Sequence, residues 1–181
     1  MAEERNGNWK ALQIRGLRQR WLVNTILPVL ILLALIVTLF SAGISNYYYR
    51  SMEDGMAQQV QALATSFNEY FMNNGFNEYY RNAEQATKTF EDRDCMELQF
   101  INTSGHIIVS TSGLRAGSAP GTDDITRAIT QQDLASFQGQ DPDTGEKILS
   151  VSYPLSSSDG RVAGVVRVVT SLQAADRQIL L

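Results

Sequence analysis

An uncharged run of 29 residues, from Trp21 to Tyr49, constrains this chain more than any other feature of its sequence. Residues 22–44 within it read LVNTILPVLILLALIVTLFSAGI, a segment that would extend about 34 Å as a helix. A hydrocarbon core is about 30 Å thick, and helices of soluble proteins rarely run this long without a charge. The run therefore predicts a transmembrane helix. Pro28 falls in its first turns, where the missing N–H costs least.

The two flanks of this run differ in charge. Residues 1–21 carry five basic and two acidic side chains, whereas residues 50–181 carry ten basic and 17 acidic ones. Because basic segments are retained on the cytoplasmic side, the N-terminus is predicted inside the cell and the acidic remainder outside. A cleaved signal peptide is the alternative, since Ser41–Gly43 is a passable small-x-small site. We favour an uncleaved anchor in the plasma membrane, because the helical pattern continues beyond that site.

The remaining composition excludes several classes of site. The chain has one Cys, one His and a formal net charge of −4. A single Cys excludes an intramolecular disulfide framework and a zinc site built on paired cysteines. One His and an acidic balance argue against a His-rich metal centre and against a nucleic-acid-binding surface. We therefore predict no metal, no cofactor and no nucleic-acid partner.

A helical stripe follows the anchor. Its apolar residues are spaced by four and three positions, which gives it heptad character: Met56, Val60, Leu63, Phe67 and Tyr70. The stripe predicts a homodimer, although it could instead pack on a sheet of its own chain. Asn73–Gly75 is predicted to end this helix, because Asn and Gly tolerate the left-handed conformation of a C-cap. A second helix is expected to follow.

Beyond Asp94 the apolar residues alternate with polar ones, which is the period of a strand. A short helix with Thr122 as its N-cap and acidic residues in its first turn interrupts the strands. The strands are predicted at residues 96–101, 106–111, 134–138, 147–153 and 161–171. Together these patterns predict an α+β fold. An N-terminal transmembrane helix continues into a long helix, and helices then pack on an antiparallel sheet of about five strands.

Three stretches carry a family resemblance: QFINTSGHIIVSTSG from Gln99, DDITRAI from Asp123 and TGEKILSVSYPLSSSDGRVAGVVRVVTSL from Thr144. The last has a strand ending in Pro, a D-G turn and a strand with G-x-x-R. With the preceding anchor and long helix, this order resembles single-Cache, PAS-like extracytoplasmic sensor domains of bacterial receptors. The similarity is greatest to sensor histidine kinases of Gram-positive, Clostridia-like bacteria, and it extends over about residues 20–181.

The resemblance implies a signal-sensing region of a two-component histidine kinase. A second membrane helix, a HAMP-type relay and a kinase core would follow, and residues 176–181 are expected to begin the second membrane-directed helix. The domain plan is then a cytoplasmic 1–21, a transmembrane 22–44 and a sensor domain over 45–175. The fragment itself is predicted not to be an enzyme, because its only His, His106, lies in a strand pattern and no phosphate-binding loop is present.

Arg167 is the side chain that most suggests a binding site. It lies in the apolar run Val165–Val169, where an unpaired buried cation would be costly. Either Arg167 is paired within the fold, or it donates to an anionic ligand such as a carboxylate, as the resemblance to Cache pockets implies. Tyr153 on the preceding strand is a second candidate. An unidentified small-molecule ligand is therefore the predicted partner, besides the membrane and a second copy of the chain.

Two alternatives for the function stay open. A similar sensor could feed a chemotaxis receptor or a cyclic-dinucleotide cyclase, because the output domain determines that role. The chain could also be a membrane-tethered interaction module without a small ligand. A pocket between sheet and loops would favour sensing, whereas a filled core would favour the interaction module.

Overall fold

The computed structural model describes residues 17–113, 116–157 and 160–173 of the 181-residue chain. The expected second membrane-directed segment at 176–181 lies outside the described residues. The elements in chain order are α1 (Leu17–Thr89), β1 (Met96–Asn102), β2 (Ile107–Ser110), α2 (Asp123–Gln131), β3 (Ala135–Gln140), β4 (Lys147–Ser156) and β5 (Val162–Ser171). This order confirms the predicted α+β fold class, in which a long apolar helix precedes a five-stranded antiparallel sheet.

The chain divides into two compact units between Tyr47 and Tyr48. In the first unit, α1 contains an 18-residue window with a mean hydropathy of 2.6, and none of that window is buried. The described aliphatic and aromatic side chains of this unit are exposed, from Trp21 to Tyr47. The Thr25 and Thr38 hydroxyls donate to the carbonyls four residues earlier, which satisfies them without water. This part of α1 is long and apolar enough to cross a membrane.

In the second unit α1 changes direction, and this corrects one sequence prediction. The helix was expected to end at Asn73–Gly75, but residues 69–77 are helical and α1 continues to Thr89. A straight helix would separate Gln59 from Thr89 by about 45 Å. However, the Gln59 amide donates to Asp92, only three residues beyond Thr89, at 3.0 Å. Therefore α1 is sharply bent between these residues. One Gly costs a helix only about 1 kcal/mol, so Gly75 and its neighbours bend α1 without ending its helical assignment.

The five strands form one sheet in the order β2-β1-β5-β4-β3, and all neighbours are antiparallel. The central strand β5 pairs Gln99 of β1 with Arg167 and Ser152 of β4 with the same residue. These three side chains consequently lie on one face of the sheet, since directly paired residues point to the same side. The strand pattern with a period of two predicted the five strands, whose observed boundaries differ from the prediction by a few residues. The pairing of Gln99 and Ser152 with Arg167 was not predicted.

One face of the sheet is apolar and packs on α1. It buries Leu98 and Phe100 of β1, Val151 of β4, and Val166 and Val168 of β5. The α1 side chains in this core include Met56, Val60 and Phe67 of the predicted stripe. Because those side chains are buried within their own chain, they do not provide the expected dimer surface.

An aromatic group forms the centre of this apolar face. The rings of Phe67 and Tyr79 lie 4.8 and 6.3 Å, respectively, from the ring of Phe100, and 6.1 Å from each other. Tilted and edge-on contacts of this kind add stabilisation beyond the buried area. Burial, assisted by the neighbouring Tyr80, raises the pKa of Tyr79 well above its usual range. The aromatic group therefore joins both parts of the bent α1 to the sheet.

The opposite face of the sheet is covered by α2. Thr122 takes the N-cap position with an extended backbone, as predicted, although its hydroxyl does not bond the helix amides. Ile125 and Ala128 are buried against Ile101 and Val165. This smaller apolar group fixes α2 over one end of the face and places the first turn of α2 next to Arg167.

Candidate ligand-binding site

Arg167 lies on the α2 face of the sheet and is almost completely buried, with 1% of its surface exposed. All three of its nitrogens donate hydrogen bonds. Nε donates to Asp124 Oδ2 at 2.9 Å, Nη1 to Gln99 Oε1 at 2.8 Å and Nη2 to Thr122 Oγ1 at 2.9 Å. Arg167 is therefore paired within the fold, which is the first of the two interpretations that the sequence allowed.

Asp124 is the counter-ion, and it is fully buried. Its Oδ2 atom also accepts hydrogen bonds from the hydroxyls of Ser150 and Ser152, at 2.9 and 2.8 Å. The positive end of the α2 dipole adds further stabilisation to a carboxylate in this first turn. We call this set the buried polar cluster; its members are Gln99, Thr122, Asp124, Ser150, Ser152 and Arg167.

The ionisation of Asp124 follows from these contacts. Burial alone would raise the pKa of this carboxyl, because a charge is poorly solvated inside the protein. The guanidinium of Arg167 and hydrogen bonds from Thr122, Arg167 and Ser152 outweigh burial, so the pKa of Asp124 lies below its usual value. At neutral pH the pair is therefore ionised, and its two charges cancel.

The structure does not bring the two sequence-predicted site residues together. Tyr153 pairs with Val166 in the β4–β5 ladder, one position along from the pair of Ser152 and Arg167. Since side chains alternate along a strand, Tyr153 lies on the α1 face, where it packs against the apolar core. Arg167 faces the opposite side.

A cavity of about 460 Å³ lies beside the buried polar cluster, within the size range of small-molecule sites. Arg167 and Gln99 form part of its lining, together with the apolar side chains of Ile107, Ile148 and Val169. All except Ile107 belong to the central strands of the sheet. The cavity thus provides a space next to Arg167 between the sheet and the loops that cover it.

Charged side chains line the same cavity. The hairpin turn between β3 and β4 contributes Asp141, Asp143 and Glu146, and β1 contributes Glu97. Arg93 comes from the connector between α1 and β1. Asp141 also caps its own turn, because Oδ1 accepts hydrogen bonds from the amides of Asp143 and Thr144, both at 2.9 Å. These bonds hold the turn together and fix the orientation of the Asp141 carboxylate.

Sequence reasoning missed most of this site, although some signals were present. Ser150 and Ser152 stand two positions apart in an otherwise apolar strand, which indicates a polar strip on one face. Asp124 and Ala128 are four positions apart and share a helix face, which distinguishes Asp124 from Asp123. The cavity itself had no sequence signal, since its lining comes from segments far apart in the chain.

Comparison with solved structures identifies the fold. The sensor domain of the V. cholerae histidine kinase DctB matches with a TM-score of 0.64 at 12% identity, over 82% of this chain and 60% of that one. The ligand-binding domain of the Pseudomonas aeruginosa amino acid chemoreceptor PctC, in complex with GABA, matches with a TM-score of 0.51 at 20% identity, over 82% and 62%. The extracellular domain of the putative histidine kinase mmHK1S-Z2 gives 0.55 at 13% identity, over 80% and 63%.

The fold is Cache-like. At these identities the likeness concerns the fold alone, and this chain spans about three fifths of the length of the three structures. No protein-family model and no curated protein matches the sequence. The single-Cache subtype and the Gram-positive origin stay predictions from the sequence.

Proposed function

We propose that this chain is the extracytoplasmic signal-sensing region of a membrane-bound sensor histidine kinase, and that it binds a small molecule in the cavity beside Arg167. The cavity is the observation that supports the proposal most directly, because an interaction module would have no need of one. Its position on the central strands, next to a buried arginine, allows a ligand to contact β1, β4 and β5 at once. The Cache-like fold gives independent support, since the similar structures are sensor domains.

The proposed membrane topology follows the sequence. Residues 1–21 would lie in the cytoplasm, residues 22–44 would cross the membrane and residues 45–175 would form the sensor outside the cell. A second membrane-directed helix would begin at residue 176. The exposed apolar surface of α1 supports the membrane segment, because monomeric soluble proteins rarely expose so large a contiguous apolar area.

Signal transfer would use α1. This helix carries part of the sensor core and is continuous in secondary structure with the apolar segment. A ligand that binds one arrangement of the sensor more tightly than another would shift the population between them. Reversing a 1:99 population requires a difference of about 5.5 kcal/mol in binding free energy. A homodimer would couple two such helices, through a surface other than the stripe buried on the sheet.

A chemotaxis receptor is the second candidate. The matches include both a histidine-kinase sensor domain and a chemoreceptor domain, at comparable coverage of this chain. The fold of the sensor is therefore compatible with either output. Sequence beyond Leu181 that encodes a kinase core would support the first proposal, and sequence that encodes a chemoreceptor signalling helix would replace it with the second.

The ligand proposal can be tested with the full chain in detergent micelles. A thermal-shift screen would compare organic acids, amino acids and amines on the wild type, on Val169→Phe and on Val162→Phe. Val169 lines the cavity, whereas Val162 begins the same strand outside it, so the two variants form a matched pair. We expect at least one compound to raise the melting temperature of the wild type and of Val162→Phe but not of Val169→Phe.

The size of the expected shift follows from linkage. A ligand at 100 times its Kd stabilises the folded state by about 2.7 kcal/mol, which corresponds to a shift of several degrees in a domain of this size. A screen in which no compound shifts the wild type would contradict the sensor proposal. An equal shift in wild type and Val169→Phe would place binding elsewhere and would also contradict it.

A further inference from the structure

The charges of the cavity identify a class of ligand. Its described lining contains four carboxylates, and its basic members are Arg93 and Arg167. The four acidic residues come from two separate segments of the chain: Glu97 from β1, and Asp141, Asp143 and Glu146 from the turn before β4. Two separate segments therefore contribute acidic residues to the lining of the same space.

Arg167 does not offset this negative charge. Its positive charge is cancelled by Asp124 at 2.9 Å, and Gln99 and Thr122 accept hydrogen bonds from its other two nitrogens. In the described lining Arg93 is then the one basic side chain left to offset four carboxylates, so a ligand anion entering the cavity would meet a net negative lining. Because unlike charges attract and like charges repel within a few ångströms, an anion would be disfavoured and a cation favoured.

Two of these carboxylates are held in fixed orientations. Oε1 of Glu97 accepts hydrogen bonds from the Gln99 amide at 3.0 Å and from the Ser112 hydroxyl at 2.6 Å. Oδ1 of Asp141 is bound by the amides of its own turn. Among the described residues no donor contacts the second oxygen of either carboxylate, so each can accept a donor from a ligand. Orienting an acceptor before binding reduces the entropy cost of binding.

The rest of the lining suits an uncharged carbon chain. Ile107, Ile148, Val169 and Pro120 provide apolar contact, while the floor near Gln99 and Arg167 is already hydrogen-bonded within the protein. A divalent cation is a poorer fit, because no group of three His, Cys, Asp or Glu side chains among the described residues is arranged to hold a metal. An organic ammonium group can use separate carboxylates without a metal's coordination geometry.

We infer that the cavity binds a small organic amine with a net positive charge, whose ammonium group lies against Glu97 and the acidic turn Asp141–Glu146 and whose carbon chain lies on Ile148 and Val169. The inference rests on the proposed function, since it names the ligand class of the same cavity. It replaces the anionic ligand expected from Arg167 with a ligand of opposite charge.

Three four-carbon probes test this ligand class: 1,4-diaminobutane, 4-aminobutanoate and butanedioate. Binding to the full chain in micelles would be measured by calorimetry and by thermal shift, at low and at high salt. We expect 1,4-diaminobutane to bind most tightly of the three, and its binding to weaken at high salt as the charges are screened.

Two variants and a control locate the ammonium group. Glu97→Gln and Asp143→Asn keep the side-chain shape and remove one charge each, and we expect each to weaken diamine binding about tenfold or more, the size expected for a hydrogen bond between charged groups. Glu84→Gln removes an exposed carboxylate on α1 that pairs with Lys88, and we expect it to leave binding unchanged. Unliganded melting temperatures close to wild type would show that the variants fold.

The outcomes separate this inference from the proposed function. Tighter binding of butanedioate than of the diamine, abolished by Val169→Phe, would overturn the amine inference while the sensor proposal stands. Equal losses in Glu97→Gln, Asp143→Asn and Glu84→Gln would also overturn it, because the effect would then be one of net charge. A chain that binds neither these probes nor any compound of the wider screen would contradict both.

Discussion

The two faces of the sheet are built from the same strands but are stabilised in opposite ways. On the α1 face, Leu98, Phe100, Val166 and Val168 are buried among apolar neighbours, and shape complementarity determines their packing. On the α2 face, the positions between them carry Gln99 and Arg167, and directed hydrogen bonds join Arg167 to Gln99 and to Asp124. Successive residues of one strand therefore take part in two kinds of core.

The difference shows why the candidate site lies where it does. An apolar core has no spare polar group with which to recognise a ligand, so the α1 face serves the attachment of α1 to the sheet. The α2 face has buried charges that cancel and a neighbouring cavity whose lining includes acidic residues. Substitutions that change a charge should therefore destabilise the α2 face, and substitutions that change side-chain volume should destabilise the α1 face.

The largest effect is expected from Asp124→Asn, which leaves Arg167 charged and buried without a counter-ion. Breaking a buried pair in this way costs about 3–5 kcal/mol, and thermal or urea unfolding of the full chain in micelles would measure it. Asp123→Asn is the matched control: it lies one position earlier in α2, and its pair with Arg127 is largely exposed. We expect a much smaller loss there.

A double-mutant cycle sharpens the same prediction. Arg167→Met alone leaves Asp124 charged and buried, whereas the double variant Asp124→Asn/Arg167→Met carries neither charge. We expect the double variant to lose up to about 3 kcal/mol less than the sum of the two single losses, because the residues are in direct contact. Losses that simply add would mean that the pair contributes nothing specific to the polar face.

A smaller effect is expected from Gly164→Ala on the α1 face. An added Cβ would lie 2.6 Å from the carbonyl oxygen of Ile101 and 3.5 Å from the Tyr79 hydroxyl. The backbone oxygen cannot move without disturbing the β1–β5 ladder, so we expect a loss of about 1–3 kcal/mol in unfolding free energy. Such a loss would show that space limits this face even where no charge is altered.

Gly55→Ala provides the contrast for that measurement. Gly55 lies in α1 with no atom within 4 Å of an added Cβ, and Ala is favoured over Gly in a helix by about 1 kcal/mol. The same substitution should therefore stabilise the chain slightly at position 55 and destabilise it at position 164. Equal effects at the two positions would contradict the packing argument.

The sequence predicted the strands of the sheet better than it predicted the contacts between distant segments. Alternation from Met96 to Ile101 assigned β1 correctly, because a strand that is buried on both sides still separates its side chains with a period of two. The need of Arg167 for a partner was also predictable from its apolar neighbours. The identity of that partner was not, because Asp124 is 43 positions away in the chain and only the placement of α2 on the sheet brings its carboxylate to Arg167.

The bend in α1 and the position of the cavity could not be predicted from the sequence for the same reason. Asn73–Gly75 indicated a change of direction, but local preference could not show that the chain would stay helical while tertiary contacts reversed its course. The carboxylates of the cavity belong to β1 and to the β3–β4 turn, and only the pairing of β1, β5 and β4 brings these segments together. Local patterns thus determined the elements, whereas the site depended on contacts between distant residues.

The smallest effect that we expect is a difference in the pH dependence of stability between the wild type and the double variant Asp124→Asn/Arg167→Met. The folded-state pKa of Asp124 is lowered, so its contribution to stability is fully present above its unfolded pKa of about 3.9 and is lost as the pH falls through the folded pKa. The double variant Asp124→Asn/Arg167→Met has no carboxyl at this position and lacks that loss. We therefore expect the stability advantage of the wild type over the double variant to be constant from pH 7 to pH 5 and to shrink below about pH 4.

Unfolding midpoints of both proteins over this range would measure it, and the other carboxyls cancel in the comparison because both proteins contain them. An advantage that stays constant down to pH 2 would mean that Asp124 is not held ionised by Arg167, and the two faces would then differ in packing alone.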